Sequence, residues 1–121
     1  MKSCLLVDDS RVIRRVARGI VESLSFTCTE AEDGETAVSL CAETMPDAIL
    51  LDWNMPGMSG IETMKTIRTM PGGDHPKIVL CTTNSEIDHI MQALSEGADE
   101  YIMKPFDVDI IRSKFEQVGL I

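Results

Sequence analysis

The chain has 121 residues, enough for one domain with a single core, and its 44% hydrophobic content excludes a disordered chain. A net charge of −9 argues against nucleic acid as the main partner, because such binding rests on neutralising phosphates with Lys and Arg. No apolar run approaches a membrane span, and Met1 leads almost directly into a core strand, so neither a membrane anchor nor a secretory leader is expected.

The first strand is expected over about residues 3–7, where Cys4-Leu5-Leu6-Val7 form a continuous apolar run ending in Asp8-Asp9. Asp9 or Ser10 then caps a helix over about residues 10–24. That helix carries Arg11, Arg14, Arg15 and Arg18, set opposite Val12, Ile13, Val16, Ala17, Ile20 and Leu24. The arginines are either a solvated face paired with acids such as Glu22, a docking face for an acidic partner, or a site for a free anion. A second strand follows over about 26–30, and Asp33-Gly34 opens a helix over about 34–45 that Pro46-Asp47 closes. The third strand, about 47–51, ends Ala48-Ile49-Leu50-Leu51 against Asp52.

A helix over about 59–69 is closed by Pro71-Gly72-Gly73, and the fourth strand, about 77–82, runs through Ile78-Val79-Leu80 to Thr82-Thr83. A helix over about 86–96 ends at Gly97, with Ile87, Met91 and Leu94 as its core stripe and Ile90 at the margin. The fifth strand, about 99–103, ends at Lys104-Pro105, and a last helix covers about 107–118. The elements fill residues 1–121 as one domain, with no repeat or linker.

Near-continuous apolar strands are buried on both faces, and strict strand–helix alternation makes a doubly wound parallel α/β sheet. The four cysteines, Cys4, Cys28, Cys41 and Cys81, show no CxxC spacing and are expected as reduced, packed thiols of a cytosolic protein. Met55, Met58, Met64 and Met103 are expected as gap-filling side chains, and His75 and His89 in structural or surface roles.

In such a sheet, ligands bind at the carboxyl ends of the strands. Asp8, Asp9, Asp52, Thr82 and Lys104 all fall there. Carboxylates crowded together repel one another unless a cation sits among them, and all-oxygen ligands suit Mg²⁺. A carboxylate is also a nucleophile able to form an acyl phosphate, a hydroxyl donates to phosphate oxygens, and an ammonium neutralises one. Any one of these residues alone is an ordinary cap, turn or strand residue; their convergence on one edge points to phosphoryl chemistry.

The segments Val7-Asp8-Asp9-Ser10, Leu51-Asp52-Trp53-Asn54-Met55-Pro56-Gly57-Met58-Ser59-Gly60, Thr82-Thr83 and Tyr101-Ile102-Met103-Lys104-Pro105-Phe106 resemble those of bacterial two-component response-regulator receiver domains, notably single-domain chemotaxis regulators. The resemblance covers the whole chain. It implies a flavodoxin-like (βα)5 fold with strand order 2-1-3-4-5. It also implies that Asp52 accepts a phosphoryl group from a histidine kinase or phosphotransfer protein. Asp8, Asp9, Asp52 and the Asn54 carbonyl would hold Mg²⁺. Thr82 would move toward the phosphoryl group, Lys104 would pair with Asp52 and then with phosphate, the Lys104–Pro105 bond would be cis, and Tyr101 would turn inward.

Asn54 and Asn84 lie where relatives tune the phosphoryl lifetime. The implied protein is a cytoplasmic switch, monomeric when unphosphorylated, that binds a downstream protein and neither membrane nor nucleic acid. It catalyses only its own phosphorylation and dephosphorylation. The resemblance adds a reason for the docking reading of Arg11, Arg14, Arg15 and Arg18, beside the solvated face, and Ile90 either joins Tyr101 in an output surface or is simply partly buried. A phosphorelay intermediate shares all these residues. A haloacid-dehalogenase-type phosphatase expects a second Asp where Asn54 stands and a cap domain this length excludes. A flavodoxin-like flavin carrier would meet repulsion between its phosphate and Asp8-Asp9.

Overall fold

The continuous apolar runs at about residues 4–7, 48–51 and 78–81 need burial on both faces, and a parallel sheet flanked by helices supplies it. In the computed structural model the order is β1 (Ser3–Val7), α1 (Arg11–Ser23), β2 (Thr27–Ala31), α2 (Gly34–Glu43), β3 (Ala48–Asp52), α3 (Gly60–Arg68), β4 (Lys77–Thr82), α4 (Ile87–Ser95), β5 (Glu100–Met103) and α5 (Val108–Gln117). The structure describes residues 1–83 and 87–121, the side chains of residues 87 and 88 excepted. All pairings are parallel, as the strand–helix alternation predicts, and the sheet order is β2-β1-β3-β4-β5, as the family resemblance implies.

Alternation along the strands divides the interior into two cores. Leu5, Val7, Ile49, Leu51, Ile78 and Leu80 face one side, where Ala37 and Cys41 of α2, Met64 and Ile67 of α3, and Ala93 of α4 meet them. Cys4, Leu6, Leu50, Val79, Cys81 and Ile102 face the other, covered by Ala17 and Val21 of α1 and Ile111 and Phe115 of α5. Phe26 meets Phe115 edge-on with ring centroids 5.2 Å apart. The edge strand β2 is the polar one, with Thr27 and Thr29 exposed, because α1 and α2 cover it only partly.

Short polar side chains start four helices where the sequence places them. Ser10 accepts from the Ile13 amide, Asp33 from Thr36 and Asp107 from Ile110, while Ser59 and Glu62 form a reciprocal capping box. Gly60 is needed at its position, because a Cβ there would lie 2.3 Å from the Asp52 carbonyl oxygen. The α3 start is thus pressed against the end of β3, which sets the loop over the sheet edge.

Two helical faces differ from expectation. On α4, Met91 is 62% exposed and Leu94 41%, while Ile90 is only 9% exposed and Ala93 is fully buried. The buried stripe is therefore Ile90–Ala93; the side chain of Ile87 is outside the described residues. Small Ala93 lets α4 approach the sheet, which a stripe of Met91 and Leu94 would hold away. On α1, Val12 is 70% and Val16 48% exposed; the buried face is narrower than the apolar pattern suggests and runs through Ala17 and Val21.

Candidate functional site

The carboxyl ends of β1, β3, β4 and β5 lie on one edge of the sheet. Asp8 and Asp52 are buried there, and Asp9 is exposed beside them. One carboxylate oxygen from each of the three lies within 4.8 Å of the others. Lys104 bridges the two buried acids: Nζ donates to Asp8 Oδ2 at 2.8 Å and Asp52 Oδ1 at 3.1 Å. The Lys104–Pro105 bond is cis.

Backbone contacts hold these side chains in place. The Ser10 amide donates to Asp8 Oδ1 at 2.8 Å, and Arg14 Nη1 donates to the Asp8 carbonyl at 2.7 Å. The Lys104 amide donates to the Thr82 carbonyl at 2.8 Å, tying β5 to β4 beside the cluster. Thr82 itself is buried, one residue beyond Cys81, the register partner of Asp52.

The electrostatics follow from burial. Desolvation pushes the Asp52 carboxyl above its ordinary value, with a smaller push from Asp8, and the hydrogen bond from Lys104 pulls the other way. Burial disfavours the Lys104 ammonium, but hydrogen bonds to Asp8 and Asp52 outweigh it and raise its pKa. Three carboxylates against one ammonium leave the cluster with a deficit of positive charge. Hard oxygen donors carrying that deficit fit a small divalent cation such as Mg²⁺. Cys81 lies beneath the cluster with its thiol pushed up to about 12 by burial, so it offers no thiolate there. All four cysteines are free thiols.

The remaining expected residues are spread more widely. Asn54 is exposed just past the end of β3, and Asn84 lies outside the described residues. Tyr101 is half-buried on β5, its ring 5.1 Å from Lys114 Nζ. The four arginines of α1 do not form one free face. Arg14 and Arg18 pair with Glu30 of β2 at 3.0 and 2.8 Å, and Arg18 also pairs with Glu22. Arg11 and Arg15 are exposed beside Val12 and Val16. Ile90 is a core residue and not part of an exposed surface. His75 pairs with Asp47 at 2.8 Å, away from the cluster, and the Trp53 ring lies 5.8 Å from that of His89. That ring contact, and the Arg14 hold on Asp8, were not anticipated; nothing in residue spacing signals a contact between separate elements.

A sequence model of the response regulator receiver domain matches residues 4–116. The chain belongs to the response-regulator receiver family. The receiver is 34% identical to the chemotaxis protein CheY of Pseudomonas aeruginosa over 115 residues, covering 94% of this chain and 93% of that one. It is 38% identical over 105 residues to the phosphate regulon transcriptional regulatory protein PhoB of the same organism, covering 87% of this chain and 46% of that protein. Among solved structures, CheY4 of Vibrio cholerae superposes with a TM-score of 0.92 at 27% identity, covering 98% of both chains. Among the described residues, no helix of the receiver is long and apolar enough to cross a membrane.

Proposed function

We propose that Asp52 is the phosphoacceptor of a switch in two-component signalling, with residues 1–121 acting as one receiver unit. The observation that carries this is the Lys104 bridge between Asp8 and Asp52, both buried, with Asp9 alongside. A carboxylate oxygen of Asp52 attacks phosphorus on a phosphohistidine of a kinase or phosphotransfer protein. The new O–P bond forms as the N–P bond breaks, and the imidazole leaves and takes up a proton from solvent. Asp8, Asp9, Asp52 and the Asn54 carbonyl would hold Mg²⁺. Bound there, it supplies positive charge against the phosphoryl oxygens during transfer.

Lys104 then exchanges its hydrogen bond to Asp52 for one to a phosphoryl oxygen, and Thr82 donates its hydroxyl to another. Moving a two-state switch from mostly off to mostly on takes about 5.5 kcal/mol of differential stabilisation. A few charge-assisted hydrogen bonds of roughly 1.5–3 kcal/mol each suffice. The half-buried Tyr101 follows Thr82 inward. Among the described residues, exposed Met91 and Leu94 are the apolar groups on α4 available to a downstream protein, in place of the buried Ile90.

On α1, Arg11 and Arg15 around Val12 and Val16 are the part of the arginine set available to an acidic donor protein. The receiver is cytoplasmic, monomeric before phosphorylation and catalytic only toward its own phosphorylation and dephosphorylation. Incubation with acetyl phosphate and Mg²⁺ tests the chemistry: the phosphoprotein should be hydroxylamine-labile, as an acyl phosphate is. A hydroxylamine-stable phosphate would place the modification on a hydroxyl side chain and refute Asp52.

A further inference from the structure

We propose that His89 is a positioning residue that couples the end of the phosphoacceptor strand to α4 through the ring of Trp53. The proposal rests on the phosphorylation of Asp52 argued above and extends it to how the event reaches a helix.

Trp53 directly follows Asp52, and its backbone is clamped on both sides. Its amide donates to the Cys81 carbonyl at 2.9 Å, and its carbonyl accepts from the Gly60 amide at 3.1 Å. The ring packs against the core beneath α2, α3 and α4 and meets the His89 imidazole at 5.8 Å with a tilt of 30°. The clamped main chain fixes where the ring is rooted, and its packing against the core limits how it can turn. A change in the charge and partners of Asp52 is therefore felt one residue on, at the ring that touches α4.

The other end of α4 is fastened. Arg68 at the end of α3 donates from Nε and Nη2 to the Gly97 carbonyl at 3.0 and 2.8 Å. The same guanidinium bonds the Gly73 and Pro76 carbonyls and Asp99. Lys65 of α3 pairs with Glu96 at 3.1 Å. Between the ends, the described residues facing the core are Ile90 and Ala93, while Met91 and Leu94 stand exposed. The helix is thus tied at Gly97 and touched by the site near its start. A shift of the Trp53 ring rotates α4 about its tied end and re-aims Met91 and Leu94.

Trp53 is the sole tryptophan, so its emission reports this contact. The test compares wild type with His89→Ala, His89→Gln and His89→Phe in two readouts: the rate of the Asp52 adduct from acetyl phosphate and Mg²⁺, and the Trp53 emission change that accompanies it. Losing the ring in His89→Ala and His89→Gln should change the rate roughly two- to tenfold, the range one aromatic contact supplies. It should also alter the emission change, while His89→Phe, which keeps a stacked ring, stays near wild type in both. If all variants match wild type, or if His89→Phe is as perturbed as His89→Ala, ring coupling is overturned. Absence of the adduct from every protein, wild type included, would instead count against the receiver chemistry itself.

Discussion

Removing the negative charge of Asp52 should stabilise the metal-free fold. Its carboxyl is raised from the ordinary 3.8, chiefly by burial. A carboxyl raised in the folded state is harder to ionise there than in the unfolded chain. The resulting penalty is absent well below 3.8, grows as pH rises through that value, and is complete above the folded pKa. At neutral pH in EDTA, Asp52→Asn should therefore raise the melting temperature, roughly 3–6 °C for about 1 kcal/mol relieved, and Mg²⁺ should stabilise wild type. Unchanged melts in both cases would show that the three carboxylates do not share a site. Asp8, Asp9, Asp52, Thr82 and Lys104 were legible in the sequence because each ends an apolar run, and a parallel sheet gathers all such ends on one edge. Trp53 and His89 were not, because their contact depends on where α4 is set down, which no local pattern encodes.

Helical faces show what periodicity does and does not determine. On α4, both Ile87–Met91–Leu94 and Ile90–Ala93 satisfy a helical period, and close packing over small Ala93 selects the second. Urea unfolding should separate them: Ile90→Ala should cost about 2–4 kcal/mol, and Met91→Ala should stay within about 0.5 kcal/mol of wild type. Equal effects would mean that the helix is rotated from the arrangement described. On α1, Glu30 converts half of the arginine stripe into a strap onto the edge strand β2. Hydrogen bonding from Arg18, helped by Arg14, holds the Glu30 carboxyl below its usual 4.5. A depressed acid contributes stability above 4.5, lost as pH falls through the lower folded value. Glu30→Gln should thus cost about 0.5–1 kcal/mol at pH near 7, a modest figure because the pair is partly solvated, and the difference should close in strong acid. A pH-independent difference would assign Glu30 a packing role only.

At the scale of the whole molecule, alternation of strand and helix sufficed for the layer architecture, because parallel strands require crossover helices. What alternation leaves open is how the far ends of the elements are bound together, and there single side chains act. Arg68 joins the end of α3 to the loops before β4 and before β5 through three carbonyls and Asp99. Its truncation to Ala should cost about 2–3 kcal/mol, since it strands part-buried acceptors, and should show as a lower urea midpoint with the phosphorylation site intact.

On the reading proposed here, the residues gathered at one sheet edge serve one reaction, the transfer of a phosphoryl group to Asp52. Intact mass after incubation with acetyl phosphate and Mg²⁺, alongside Asp52→Asn and an EDTA control, tests that most directly. A single phosphoryl adduct on wild type, absent from Asp52→Asn and from the EDTA sample, is the expected result. An equal adduct on Asp52→Asn, or none on wild type where another receiver is modified, would contradict it.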